Sequence, residues 1–167
     1  MKQTWAPWRM QYIKSEKEQG CIFCKAAESA DDRQSLVLYR GEFNFVLMNK
    51  YPYNNGHLMI APYRHTADPS ALDGETGLEL FGLIQLGFEV LKAAFDPQGF
   101  NAGLNLGKCA GAGILDHLHF HLVPRWDGDT NFMPVLTETR VISEHILSTY
   151  DTLLEHFKKG AQARKGE

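Results

Sequence analysis

The sequence predicts an α+β domain in which an antiparallel sheet of about five strands carries one long helix and a C-terminal helix. Three observations lead there. Short apolar runs bounded by turn residues recur at 36–39, 43–48, 57–62, 99–107 and 117–126, with the length and composition of strands. One stretch, 74–95, places apolar residues at steps of three and four, the helical period. Strands both precede and follow that helix without regular βα alternation, which favours an antiparallel sheet over a parallel one.

Each element has a local reason. Arg40, Gly41 and Glu42 separate the first two runs as a hairpin turn would, and Pro62 ends the third strand because it lacks a donor for the ladder. Asp73 is the expected N-cap of the long helix. Its stripe is Phe81, Ile84, Phe88, Leu91 and Phe95, and Asp96 and Pro97 stop it. Gly77, Gly82 and Gly87 each cost that helix about 1 kcal/mol relative to Ala, so close approach of another backbone is expected at all three. A last helix is predicted over 143–159, with Ile146, Tyr150, Leu153, Leu154 and Phe157 as its apolar stripe and a frayed tail over 161–167.

A chain of 167 residues can bury one sizeable core and is short for two. The expected division is an N-terminal arm over 1–20, a core domain over 21–126 and a C-terminal extension over 127–167 packed on the same domain. The arm carries Trp5, Trp8, Met10, Tyr12 and Ile13, suited to covering core surface or contacting a ligand. A net charge of -3 argues against general attraction for nucleic acid. No apolar run reaches membrane-spanning length, and the first twenty residues do not resemble a secretory signal. A cytoplasmic protein without nucleic-acid or membrane partners is therefore expected. Three cysteines, an odd number, suit reduced thiols or metal ligation better than disulfides.

The sharpest local signal is DHLHFHLVPRW, in which three of the seven histidines fall on alternate positions. In a strand, residues i, i+2 and i+4 share a face and stand roughly 6.6 Å apart. His117, His119 and His121 then line one side, and Leu118, Phe120 and Leu122 line the core side. Two chemistries suit such a row. Imidazole is a metal ligand, and at a pKa of about 6.5 it is also a nucleophile needing no separate base. A histidine can attack phosphorus, expel a phosphate leaving group and hold the nucleotide as a labile phosphoramidate.

HLHFHLVP, together with CIFC at 21–24, GHLMIAPYRH at 56–65 and GLNLGKCAGAG at 103–113, closely resembles the histidine triad superfamily of nucleotide hydrolases and transferases. WAPWRMQYI and HLVPRWDGDTNFMPVL resemble its diadenosine tetraphosphate phosphorylase branch. The resemblance implies the histidine triad fold, with His119 as nucleophile at the α-phosphorus and His121 beside the phosphates. It implies phosphate binding by Asn105 and ribose binding at Asn49, where many relatives carry an acid. Hydrolase relatives have Gln where this chain has Gly113. That side chain's role does not carry over, and the backbone amides of 111–114, Gly111 and Gly113 included, are expected at the phosphates.

The resemblance also implies a structural zinc held by Cys21, Cys24, His65 and His117, a complete tetrahedral donor set. Magnesium or manganese accompanying a polyphosphate substrate is a further expectation, although no carboxylate cluster specifies a site. A homodimer is implied, joined through the long helix and its neighbouring strand. The expected activity is cleavage of diadenosine tetraphosphate by phosphate to ADP and ATP through a covalent nucleotidyl-histidine. Hydrolysis of dinucleoside polyphosphates or nucleoside phosphoramidates, and nucleotide binding without catalysis, are the alternatives. Lys108 and Arg125 flank the site and read as solvated charges able to attract phosphate. Cys109 reads as a small residue of the phosphate loop, His57 as a hydrogen-bonded strand histidine, and His145 and His156 as exposed residues of the last helix.

Overall fold

A computed structural model describes residues 20–129 and 144–165. The expectations placed on 1–19, 130–143 and 166–167 lie outside the described residues. The elements run α1 (Ile22–Glu28), β1 (Val37–Arg40), β2 (Asn44–Met48), β3 (Leu58–Pro62), α2 (Gly74–Phe95), β4 (Gly99–Leu104), β5 (Phe120–Arg125) and α3 (Ile146–Lys165). The five strands form one sheet ordered β1-β2-β3-β5-β4, with every pair antiparallel. This is the predicted α+β architecture.

Apolar residues coat both faces of the sheet. Val46, Met48, Leu58, Ile60 and Leu122 join Leu83, Leu86, Val90 and Leu91 of α2 and Tyr150, Leu153 and Phe157 of α3 in the larger core. Phe45, Leu47, Met59 and Ala61 point the other way and are covered by Phe23 and Ala26 of α1. Sequence reasoning expected core on one side only and did not foresee α1, whose seven residues are too few to show a period. Arg40 docks that helix on β1: its guanidinium donates to the carbonyls of Ala26, Ala27 and Ser29 at the helix end and to Asp32.

The long helix starts where predicted, with Asp73 accepting from the Thr76 N–H at 2.8 Å, and ends at Asp96 in a left-handed conformation. Of the expected stripe, Ile84 and Leu91 are buried and Phe88 and Phe95 pack against the core, whereas Phe81 is 59% exposed. Leu83, Leu86 and Val90 extend the buried face on one side. Of the three glycines, only Gly87 meets close packing: a Cβ there would stand 2.8 Å from Leu122 Cδ2, while Gly77 and Gly82 have nothing within 4 Å.

The last helix outruns its predicted end and reaches Lys165, so 161–165 are not a frayed tail. Its final turns still find partners on α2. Gly160 lies against Leu86, and Arg164 donates to the Gly82 carbonyl at 2.8 Å and to Glu89 at 2.9 Å. His145 sits just before the helix, its carbonyl accepting from the Ser148 and Thr149 N–H groups, and His156 is half-buried rather than exposed.

The two kinds of glycine should respond oppositely to alanine. Gly87→Ala is expected to lose about 1–3 kcal/mol through overpacking on Leu122, whereas Gly82→Ala should gain up to about 1 kcal/mol of helix propensity. Urea unfolding of the two variants measures both, and equal shifts of the same sign would contradict the packing described.

Candidate active site

Strand β5 is an inner strand, paired with β3 through Met59↔His121 and with the edge strand β4 through Gly103↔His121. Pairing on both sides begins only at Phe120, so His117 and His119 precede the ladder instead of lying in it as predicted. The chain leaves the sheet there because Leu118 donates its N–H to the Thr66 carbonyl at 2.6 Å. The alternation survives. His119 and His121 have ring centroids 4.8 Å apart, and Phe23 of α1 covers His117 and His119 at 5.1 and 4.6 Å. The strand continues through Pro124, whose carbonyl faces Asn54 beyond the start of β3. On that side no strand needs the N–H that proline lacks.

Hydrogen bonds to main-chain carbonyls assign the ring protons, since a carbonyl can only accept. His119 Nδ1 lies 2.8 Å from the His117 carbonyl oxygen and therefore donates. Burial lowers its pKa from the ordinary value, against the raising effect of that bond. The ring is neutral near pH 7, with its lone pair on Nε2. His57 Nδ1 accepts the Tyr53 N–H at 3.1 Å, so its proton sits on Nε2, 2.9 Å from His121 Nδ1. His121 accepts there and, when neutral, is protonated on Nε2. The neighbouring triad members thus present opposite functions at the same ring atom, a lone pair on His119 and a donor on His121.

His57, read in the sequence as a satisfied strand histidine, is hydrogen-bonded, but its partner is the last triad histidine, 64 residues away. The available signal was face parity: His57 and Met59 are two apart on one strand, and Met59 pairs with His121.

Among the other predicted residues, Asn105 follows the Leu104↔Phe120 pair and lies half-buried in line with His119. Asn49 directly follows β2 and is half-buried, its Nδ2 3.4 Å from His57 Nδ1. In the loop between β4 and β5, Gly107 and Gly111 take positive φ values of 79° and 88°, which other residues resist. The Gly111 and Ala112 N–H groups are spent inside the loop, on the Lys108 and Gly107 carbonyls. Two of the four amides expected at the phosphates are thus committed within the loop. Arg125 is bound bidentately by Asp129 and donates to Asn101, so it is not the solvated charge expected. Lys108 and Cys109 are exposed.

Cys21, Cys24, His65 and His117 bring one ligand atom each to within 4.8 Å of one another, a group that can hold a metal ion. His117 donates Nε2–H to the Pro62 carbonyl at 2.9 Å, which leaves its Nδ1 lone pair facing the group. Around that nitrogen stand Cys21 Sγ at 3.2 Å, Cys24 Sγ at 3.6 Å and His65 Nδ1 at 3.2 Å. A tetrahedral zinc site has ligand separations of roughly 3.3–3.8 Å. Burial, then the hydrogen bond and charge of Cys21, push the Cys24 thiol up. The donor set fits a structural zinc.

An α+β sheet with three alternating histidines at the start of an inner strand, beside a glycine-bearing loop, has the histidine triad architecture. The chain belongs to the histidine triad family, the HIT domain profile matching residues 31–128. It is 35% identical over 158 residues to AP-4-A phosphorylase of Mycobacterium tuberculosis (strain CDC 1551 / Oshkosh), covering 89% of this chain and 80% of that protein. A hypothetical histidine triad nucleotide-binding protein from Sulfolobus tokodaii strain 7 superposes with TM-score 0.65 at 26% identity, over 87% of this chain and 94% of that one. A Zn-bound histidine triad family protein from Mycobacterium smegmatis shares the fold, with TM-score 0.66 at 22% identity over 89% and 98%.

Protonation and metal content both test this geometry. Burial, with His121 and His119 nearby, holds His57 well below the usual histidine pKa. The unfolded chain, near pKa 6.5, then binds more protons than the fold as pH falls. The stability due to neutral His57 is complete above about pH 6.5 and is lost as pH drops from there through the lower folded value. Urea midpoints should fall between about pH 7.5 and 5.5, and fall less in His57→Asn; parallel profiles would reject the assignment. Protein purified without chelator should carry about one zinc per chain, and Cys24→Ser should lower both metal content and Tm. A metal-free, equally stable wild type would remove the zinc assignment.

Proposed function

We propose that the protein is a nucleotidyltransferase that cleaves dinucleoside polyphosphates, diadenosine tetraphosphate above all, with inorganic phosphate as acceptor. The observation that carries this is the His119 ring: Nδ1–H is committed to the His117 carbonyl, so the Nε2 lone pair belongs to a neutral, desolvated imidazole. Nε2 would attack the α-phosphorus, form a P–N bond and expel ATP. Phosphate would then displace His119 and leave as ADP, restoring the lone pair. Covalent passage splits one hard displacement into two.

The supporting residues have matching chemistry. His121, a donor at Nε2, would stabilise charge on the phosphoryl oxygens. Asn105 and the Gly113 and Ile114 N–H groups would bind phosphate, with Gly111 shaping the loop, and Asn49 lies at the proposed ribose end. A zinc ion at Cys21, Cys24, His65 and His117 would cross-link α1 to the approach of β5 and hold Phe23 over His119. Magnesium or manganese would accompany the polyphosphate. A homodimer is part of the same reading: β4 is an open sheet edge, and Leu78 and Phe81 of α2 are 76% and 59% exposed. No helix among the described residues is long and apolar enough to cross a membrane, which is compatible with the cytoplasmic location proposed.

Similarity to a protein named AP-4-A phosphorylase favours phosphate over water as acceptor. Incubation with diadenosine tetraphosphate decides: ADP plus ATP supports phosphorolysis, AMP plus ATP makes the protein a hydrolase, and absence of products leaves a binding protein. His119→Ala should reduce turnover by at least about 10⁴-fold with an unchanged urea midpoint. Acid quenching during turnover should trap nucleotide on the His119 ring; inversion at phosphorus across the complete reaction would contradict the two-step route.

A further inference from the structure

The carboxamide of Asn49 is turned into the protein. Its Oδ1 accepts the Tyr51 N–H at 2.9 Å, which directs Nδ2 at His57 Nδ1, 3.4 Å away. The Tyr53 N–H reaches the same ring nitrogen at 3.1 Å. Two donors therefore converge on one imidazole nitrogen, and neither can accept. His57 is fully buried, which keeps its ring neutral. Its single proton goes to Nε2 and is donated to His121 Nδ1 at 2.9 Å.

We propose that Asn49 is a positioning residue: an amide, not an acid, at this place acts with the Tyr53 N–H to keep the lone pair of His57 on Nδ1, and so keeps His121 an Nε2–H donor. The inference rests on the reading of His119 and His121 given above, but the ring tautomers can be observed without turnover. Asn49 acts through two imidazoles, and its second Nδ2 hydrogen remains compatible with a sugar contact.

The substitution Asn49→Asp shows why the amide matters. The carboxylate would keep one oxygen for the Tyr51 N–H, preserving the turn, but would aim its other oxygen at His57 Nδ1. Two lone pairs 3.4 Å apart in a buried setting are unfavourable. Moving the His57 proton from Nε2 to Nδ1 replaces that repulsion with a charge-assisted bond to the carboxylate, at the cost of the single neutral bond from the Tyr53 N–H. His57 Nε2 then carries a lone pair, and the His121 proton moves from Nε2 to Nδ1 to face it. Each ring still holds one proton, so charge is conserved while polarity reverses. His121 would then turn a lone pair, instead of a donor, to the anionic oxygens. If His57 instead takes up a second proton beside the new carboxylate, Nε2 stays protonated, His121 keeps its polarity, and the proposal fails.

The experiment is nitrogen NMR of ring-¹⁵N-histidine protein, wild type against Asn49→Asp, paired with steady-state kinetics on diadenosine tetraphosphate. In wild type, His57 Nδ1 should resonate as an unprotonated nitrogen and Nε2 as an N–H. In Asn49→Asp, Nδ1 should become protonated. Turnover should show kcat lowered by at least about tenfold, the scale of losing one proton-donating group, with KM changed less than about threefold. A residue serving only the ribose would move KM and leave the rings alone. Unchanged His57 and His121 signals in Asn49→Asp, or a wild-type His57 protonated on Nδ1, would overturn the proposal. A wild type without turnover but with the expected ring signals and their reversal would uphold the polarity and defeat only the activity on which its use rests.

Discussion

The register of β5 between β3 and β4 is the constraint from which the site follows. With His121 opposite both Met59 and Gly103, Leu122 enters the core under α2 and the imidazole faces the other way. A slip of one residue would exchange those faces along the whole strand, placing histidine against Leu58 and Leu91 and leucine at the site. Gly87 serves the same register, since it gives Leu122 room against the helix. Burial on both faces makes any such slip costly, which holds the imidazoles in place without a dedicated scaffold.

Within that frame the site is organised by the allocation of hydrogen bonds. Each buried ring nitrogen is one of a donor–acceptor pair, and once a main-chain group takes one, the other is determined. The His117 carbonyl settles His119, the Pro62 carbonyl settles His117, and the Tyr53 N–H settles His57 and through it His121. Three chemically identical side chains thereby acquire three states: a lone pair beside two thiols, a lone pair on a buried ring under Phe23, and a donor. The thiols of Cys21 and Cys24 come from a helix and its cap, docked by Arg40 and Phe23, so the sulfur half of the metal group and the cover over His119 belong to one element.

Much of this was legible along the chain. The hairpin, the third strand, the Asp73 cap and the antiparallel class all rest on local period, capping and turn chemistry. The misses share a cause. Helix α1 is about two turns long and is held by contacts with β1, so its own residues carry no periodic signal. The continuation of α3 past 159 depends on Gly160 and Arg164 meeting α2. The beginning of β5 at Phe120 reflects where β3 and β4 end, and the partial burial of Phe88 and exposure of Phe81 reflect which side of α2 meets the sheet.

The sequence by itself determined the candidate chemistry, because three imidazoles at alternate positions share a face in any extended chain, and it supplied the four residue types of a metal group. Tertiary structure decided what the two flanking imidazoles do. Protonation at a ring nitrogen depends on the group opposite it: the His117 carbonyl sets His119 locally, but the groups that set His117 and His121 come from Pro62, Tyr53 and His57, distant in sequence from the triad. The partnership of His57 with His121, and the inward turn of Asn49, exist only after β3 and β5 have paired.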